Sequence, residues 1–227
     1  MNDSEELQLA RAAGRGDRAA FDRLAGEYAP RLHRFITLMG VDEPDDVLQE
    51  TLREAFSSIG RFRGDSKLSS WLIGVALNRV RRWWRERPGK MVAVEPEKLD
   101  GPDPRPRDRS VLSGLVRRES AERIALALDR LAPSLREAFL LHHLEGLDFR
   151  EIGHLTGTTE GTARVRAHRA KLILQRDLGP AFQTLLLEAR ERLYAWHAGG
   201  GRMLEFLGRY PSETADRLTP LSDPPLR

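Results

Sequence analysis

Apolar residues recur at helical spacing through most of this 227-residue chain, and where the period lapses a proline, a glycine or a charge cluster stands instead. From Asp17 to Ala29, the side chains of Ala20, Phe21, Leu24, Ala25 and Tyr28 fall on one helix face. Pro30 is placed to open a second helix, with Leu32, Phe35, Ile36 and Met39 on one side and Gly40 at its end. The stretch "VDEPDDVLQETLREAFSSIG" predicts a third. Its apolar stripe is Val47, Leu48, Leu52, Ala55, Phe56 and Ile59, and Asp46, Glu50 and Glu54 form an acidic row four residues apart. Gly60 is expected to stop it. "RFRGDSKLS" then reads as a basic loop. A fourth helix runs from about Ser69 to Glu86, apolar at first and basic at its end, with Pro88-Gly89 as terminator.

From Met91 to Asp108 the helical period is lost. "EPEKLDGPDPRPRD", rich in proline and charge, predicts an extended linker. The second half begins near Ser110 and is helical by Glu122. Ile124, Leu128 and Leu131 make one stripe; Leu135, Ala138, Phe139, Leu141 and Leu144 make the next, between Pro133 and Gly146. Strand-like alternation is sustained nowhere and no internal repeat is evident. The expected fold is all-α: two helical domains joined by a flexible linker, with a helical C-terminal extension.

"FREIGHLTGTTEGTARVRAHRAK", Phe149 to Lys171, predicts two short helices and a tight turn. Asp148 and Glu151 fit a capping box, Phe149, Ile152 and Leu155 point inward, and Gly157 suits a left-handed turn position. Thr158 or Thr159 caps the second helix. At about 100° per residue, Ala163, Ala167, Ala170 and Leu174 fall on one seam, so the helices can approach closely. Val165, His168, Arg169 and Leu172 then point away, with Arg164 and Arg166 on the flanks. This is the layout of a helix-turn-helix that enters a major groove. Arg169 and Arg164 can bond guanine, Val165 can touch a thymine methyl, and His168 can contact base or backbone.

Composition narrows the class. There is no cysteine, which excludes disulfides and thiolate metal sites. No apolar run reaches the length of about 18 residues that a membrane span needs, and "MNDSEELQLA" is too acidic and polar for a leader, so a cytoplasmic protein is expected. The net charge is only +3, but it is segregated. Val41 to Phe56 carries six carboxylates against one arginine; Gly60 to Lys90 carries nine cations against two carboxylates. The acidic block suits a basic protein surface and the basic block suits phosphates. No Walker loop, GxGxxG or HExxH is present, so an enzyme is not expected. His142 and His143 are adjacent and should point in different directions on a helix; no carboxylate spacing supports a metal cluster with His154 and His168. No cofactor or metal is expected.

A helix-turn-helix after a linker, preceded by a helical block with one acidic and one basic region, resembles the extracytoplasmic-function group of bacterial RNA polymerase sigma factors. "PDDVLQETLREAFSSIGRFRGDSKLSSWLIGVALNRVRRWWRERP" is similar to sigma domain 2, and "LAPSLREAFLLHHLEGLDFREIGHLTGTTEGTARVRAHRAKLIL" to sigma domain 4. The resemblance implies an organisation: domain 2 over 1–90, linker 91–118, domain 4 over 119–178, extension 179–227. It implies that the chain binds core RNA polymerase through the beta-prime and beta subunits, with Asp45, Asp46, Gln49, Glu50 and Arg53 docking on the beta-prime coiled coil. It implies capture of a flipped base and melted strand of the minus-ten element by Phe62, Arg63, Gly64, Asp65, Ser66, Lys67, Asn78, Arg79 and Arg82. Arg81 and Arg85 add phosphate contacts, Trp71 and Trp84 are further aromatics, and Trp83 or Trp84 packs beneath the arginines. Thr162, Arg164, Val165, Arg166, His168 and Arg169 would read the minus-thirty-five duplex. Melted and double-stranded promoter DNA are thus the nucleic-acid partners, and an anti-sigma factor is a further partner the resemblance admits. Ala163 stands where the group usually has valine, Val165 where it often has a small polar residue, and Gly153 and Thr156 where it has alanine and an apolar residue. These departures bear on base preference and should loosen the first helix slightly.

The extension is read as a helix from Pro180 to Ala198, broken by Gly199 to Gly201, then a short apolar segment through Met203, Leu204, Phe206, Leu207 and Tyr210. It either packs on domain 4 or regulates it. The competing function is a helix-turn-helix regulator that does not bind core polymerase; that leaves the acidic helix and the "FRGDSKLS" loop without a role.

Overall fold

The N-terminal half holds four helices, though not the four that the apolar pattern outlines. The computed structural model describes residues 2–87 and 123–180, with 182, 183 and 186. Helix α1 spans Asp3–Gly14, α2 Arg18–Leu38, α3 Pro44–Ser58 and α4 Leu68–Glu86; a 3-10 turn, Ile59–Arg61, follows α3. The predicted linker and most of the predicted extension lie outside the described residues.

Two helices differ from expectation. The first segment, read as acidic and polar, is α1: the Asn2 side chain accepts the Glu5 N–H at 2.8 Å, and Leu9, Ala10 and Ala13 are buried. Pro30 does not open a helix but lies inside α2, which runs unbroken from Arg18 to Leu38. An internal proline costs about 3 kcal/mol. The apolar stripe stays in phase across it, burying Phe21, Leu24, Tyr28, Leu32, Phe35 and Ile36. At roughly 1.5–3 kcal/mol for each large apolar side chain, continuity wins.

The second half begins with α5 (123–129), then α6 (Pro133–Phe139), which runs into a π-helical segment, Leu140–Leu144. Helices α7 (Phe149–Thr156) and α8 (Glu160–Leu178) complete it. No strand occurs among the described residues, as the pattern predicts.

The two halves touch, and polar groups do much of the joining. Arg31 of α2 donates through Nε to Glu145 Oε2 at 2.5 Å and through Nη2 to the Glu145 carbonyl at 3.0 Å. Arg81 of α4 grips Glu137 of α6 with two bonds, 2.9 and 2.6 Å. Both carboxylates are buried, at 2% and 7% side-chain exposure. Burial holds the Glu145 carboxyl above its ordinary range even though Arg31 and Arg34 oppose the shift. Burial likewise lowers Arg34 to about 10. The Glu137 hydrogen bond raises Arg81. On the apolar side, Leu155 of α7 lies so close over Gly74 of α4 that a methyl group there would collide with it. Ser70, one turn earlier, reaches Glu151 at 3.5 Å.

Candidate nucleic-acid interface

The strongest local design is the α7–α8 pair. Asp148 accepts the Glu151 N–H at 2.7 Å and Glu151 accepts the Asp148 N–H at 3.0 Å, a complete capping box that fixes where α7 starts. Gly157 ends α7 at φ +66°, a left-handed position that glycine adopts without strain. Thr159, rather than Thr158, caps α8, its hydroxyl accepting the Thr162 N–H at 3.1 Å. Gly153 has a more specific part than loosening the helix. A Cβ there would press on the Thr158 carbonyl at 2.9 Å and the Glu160 nitrogen at 3.2 Å. The missing side chain lets the turn fold tightly back over α7.

Helix α8 sorts as its angles predict. Ala163, Ala167, Ala170 and Leu174 are buried against the domain. Arg164, Val165, His168 and Arg169 are exposed, while Thr162 and Arg166 are half-buried at the flanks. Val165 is half exposed on this outward face. Thr162 shares a hydroxyl contact with Thr159 at 2.9 Å, close to the N-terminus of α8, where backbone N–H groups and the helix dipole favour phosphate.

A second surface lies on α3 and the end of α4. Val47, Leu48, Thr51, Leu52 and Ala55 are buried, which turns Asp45, Asp46, Glu50 and Arg53 outward and leaves Gln49 half-buried. Asp46, Gln49, Glu50 and Arg53 line a cleft of about 190 Å³ with Arg82 and Trp83 of α4. His33 approaches Asp45 at 3.1 Å. The acidic row is partly neutralised from within: Arg79 sits 2.5 Å from Glu54 and 3.6 Å from Glu50. Arg79 therefore stands among the acidic residues of α3 instead of with the other cations expected to hold a melted strand.

The loop residues Arg63, Gly64, Asp65, Ser66 and Lys67 are all exposed, and Asn78 and Arg82 are exposed on α4. Phe62 is half-buried with its ring 5.6 Å from that of Trp71. Trp83 and Trp84 are both buried, so Trp84 is not a surface aromatic; Trp83 instead packs beneath an arginine, Arg87, 4.8 Å from its ring centre. Sequence reasoning missed the Arg79 pairing, because it depends on the register of α3 against α4, which no local pattern encodes. It also missed the geometry of His142 and His143. In the π-helical segment their rings are 4.8 Å apart, not turned away from each other.

Two family models match the chain: sigma-70 region 2 over residues 24–88 and sigma-70 region 4 over residues 121–174. The RNA polymerase sigma-H factor of Pseudomonas aeruginosa is 30% identical over 187 residues, covering 79% of this chain and 97% of that protein. Two solved structures share the fold. CnrH in complex with the cytosolic domain of CnrY has a TM-score of 0.57 at 23% identity, covering 77% of this chain and 97% of that one. The sigma factor RpoE of Bartonella quintana, in complex with the anti-sigma factor NepR, has a TM-score of 0.52 at 24% identity, covering 70% and 97%.

Proposed function

This chain belongs to the extracytoplasmic-function group of RNA polymerase sigma factors, so it binds core RNA polymerase and directs promoter-specific initiation, and we propose how its surfaces divide that work. The outward side of α3, through Asp45, Asp46, Gln49, Glu50 and Arg53, docks on the beta-prime coiled coil. The loop Phe62 to Lys67, with Asn78 and Arg82, takes the minus-ten element; Arg79 joins it only after leaving Glu54. Helix α8 reads the minus-thirty-five element through Arg164, Val165, His168 and Arg169, with Thr162 and Arg166 on the backbone. The observation that carries this division is the sorting of α8, an alanine seam buried on one side and arginines with a bare valine on the other.

The packed domains belong to the stage before promoter engagement. The two promoter elements lie about 25 base pairs apart, roughly 85 Å of duplex at 3.4 Å per pair, whereas α4 and α7 are in van der Waals contact here. The segment 91–118 spans roughly 90 Å at full extension, enough to let the domains part. An anti-sigma factor is a proposed partner, since a sigma factor of this fold is seen with one. The site of action proposed is the cytoplasm, where polymerase and promoter meet. Run-off transcription with purified core polymerase tests this reading against a regulator that binds DNA alone.

A further inference from the structure

The π-helical segment Leu140–Leu144 does more than end α6. His142 and His143 lie on it with ring centres 4.8 Å apart, edge to face. A column starts from His142. His142 stacks on Phe149 with ring centres 4.1 Å apart and planes inclined by 28°. The His142 Nδ1 lies 3.0 Å from the Leu147 carbonyl, which fixes the ring in its plane. Beyond Phe149 stands the guanidinium of Arg164, 5.2 Å from the ring centre. Glu160, one turn earlier on α8, bonds the Arg164 Nη2 at 2.5 Å.

Arg164 is therefore held from two sides while its side chain stays 59% exposed. A free surface arginine samples many rotamers, and ordering it on DNA costs entropy. A guanidinium already lying on an aromatic face, with a carboxylate on its edge, presents its remaining donors in one direction. Neither His142 nor Phe149 lies on α8, so neither belongs to the outward set of that helix.

Resting on the reading of α8 as the helix that enters the minus-thirty-five groove, we infer that Phe149, backed by His142, is a positioning residue that presents Arg164 to a base edge. The stack gives a flanking arginine enough order to discriminate between bases, where an unsupported one would only neutralise phosphate.

The test uses the full chain assembled with core polymerase, on promoters varied one base pair at a time across the minus-thirty-five element. Phe149→Leu keeps an apolar side chain but removes the π face; Phe149→Tyr keeps the face. Phe149→Leu should flatten discrimination at the same base pair as Arg164→Ala, by roughly 3- to 5-fold, and Phe149→Tyr should restore it. Two results overturn the inference. One is intact discrimination in Phe149→Leu where Arg164→Ala loses it. The other is an equal loss in Phe149→Leu on every promoter, which marks a merely structural residue. If Arg164→Ala and Arg169→Ala both leave discrimination unchanged, the reading of α8 itself falls, and the inference with it. Because Phe149→Tyr preserves the packing, its discrimination profile is informative even if Phe149→Leu folds poorly.

Discussion

Arg169 stands on the open face of α8, one turn beyond Val165 and beside His168, with the alanine seam directly behind it. An arginine in that place either bonds a guanine edge or neutralises a phosphate, and the two differ in what they do to selectivity. Arg169→Ala is expected to weaken promoter binding by about 1–3 kcal/mol, concentrated at one base pair. Titrating the holoenzyme against promoter variants checks this; an equal loss on all of them would make Arg169 a phosphate contact. The outward set on α8 was legible in the sequence because a helix seam follows from spacing alone. The status of Arg79 was not. Its neighbours Glu50 and Glu54 lie on another helix, and only the packing of α3 on α4 brings them within 4 Å. Trp84 failed for the same reason: adjacent tryptophans at a basic helix end look available until the neighbouring helices cover both.

Among the elements, α3 has the plainest division of labour. It packs on α1, α2 and α4 and offers its remaining side as carboxylates around a small cleft. Replacing Asp46 and Glu50 together by alanine is expected to slow association with core polymerase roughly tenfold, more at low salt than at high. The melting of domain 4 should not change, because among the described residues α3 supplies none of the ion pairs that join the halves. Surface plasmon resonance at two salt concentrations, with thermal melting beside it, tests this; an unchanged association rate would remove α3 from the docking surface. The existence of α3, α4, α7 and α8 was readable from period and caps. The bounds of α1 and α2 were not. A proline signals a helix start by default, and only the buried stripe running through Pro30 on both sides overrides that signal. The acidic opening hid α1, whose contribution to the core rests on Leu9 and two alanines. The π-helical segment left no mark in the sequence at all.

For the molecule as a whole, the interface between the halves is the part no local pattern foretold. Its ion pairs join residues 31 to 145 and 81 to 137, far apart in the chain. Desolvation raises the Glu145 carboxyl, although Arg31 and Arg34 oppose the shift. The packed form binds the Glu145 proton more tightly than a solvated carboxyl would. Acidification therefore favours packing, and raising the pH from the ordinary carboxylate range through the raised Glu145 value releases it. Glu137→Gln leaves Arg81 without its counter-charge and is expected to shift the free protein toward separated domains. Small-angle scattering should then show a larger radius of gyration; an unchanged radius would mean that apolar contacts such as Leu155 on Gly74 hold the halves by themselves. Face to face with α7, moreover, α4 presents Ser70 and Gly74 on the same side as Asn78. Separation would thus uncover Ser70 and Gly74, while Asn78 is exposed already. All of this presupposes a chain that works on polymerase, and run-off transcription decides that. Purified core polymerase, this chain and a library of duplexes randomised at both promoter elements should yield transcripts from a fixed start, with one sequence enriched at each element and no transcripts when the chain is left out. Binding to duplex with no chain-dependent transcript and no complex with core would contradict it, and would leave a stand-alone helix-turn-helix regulator in its place.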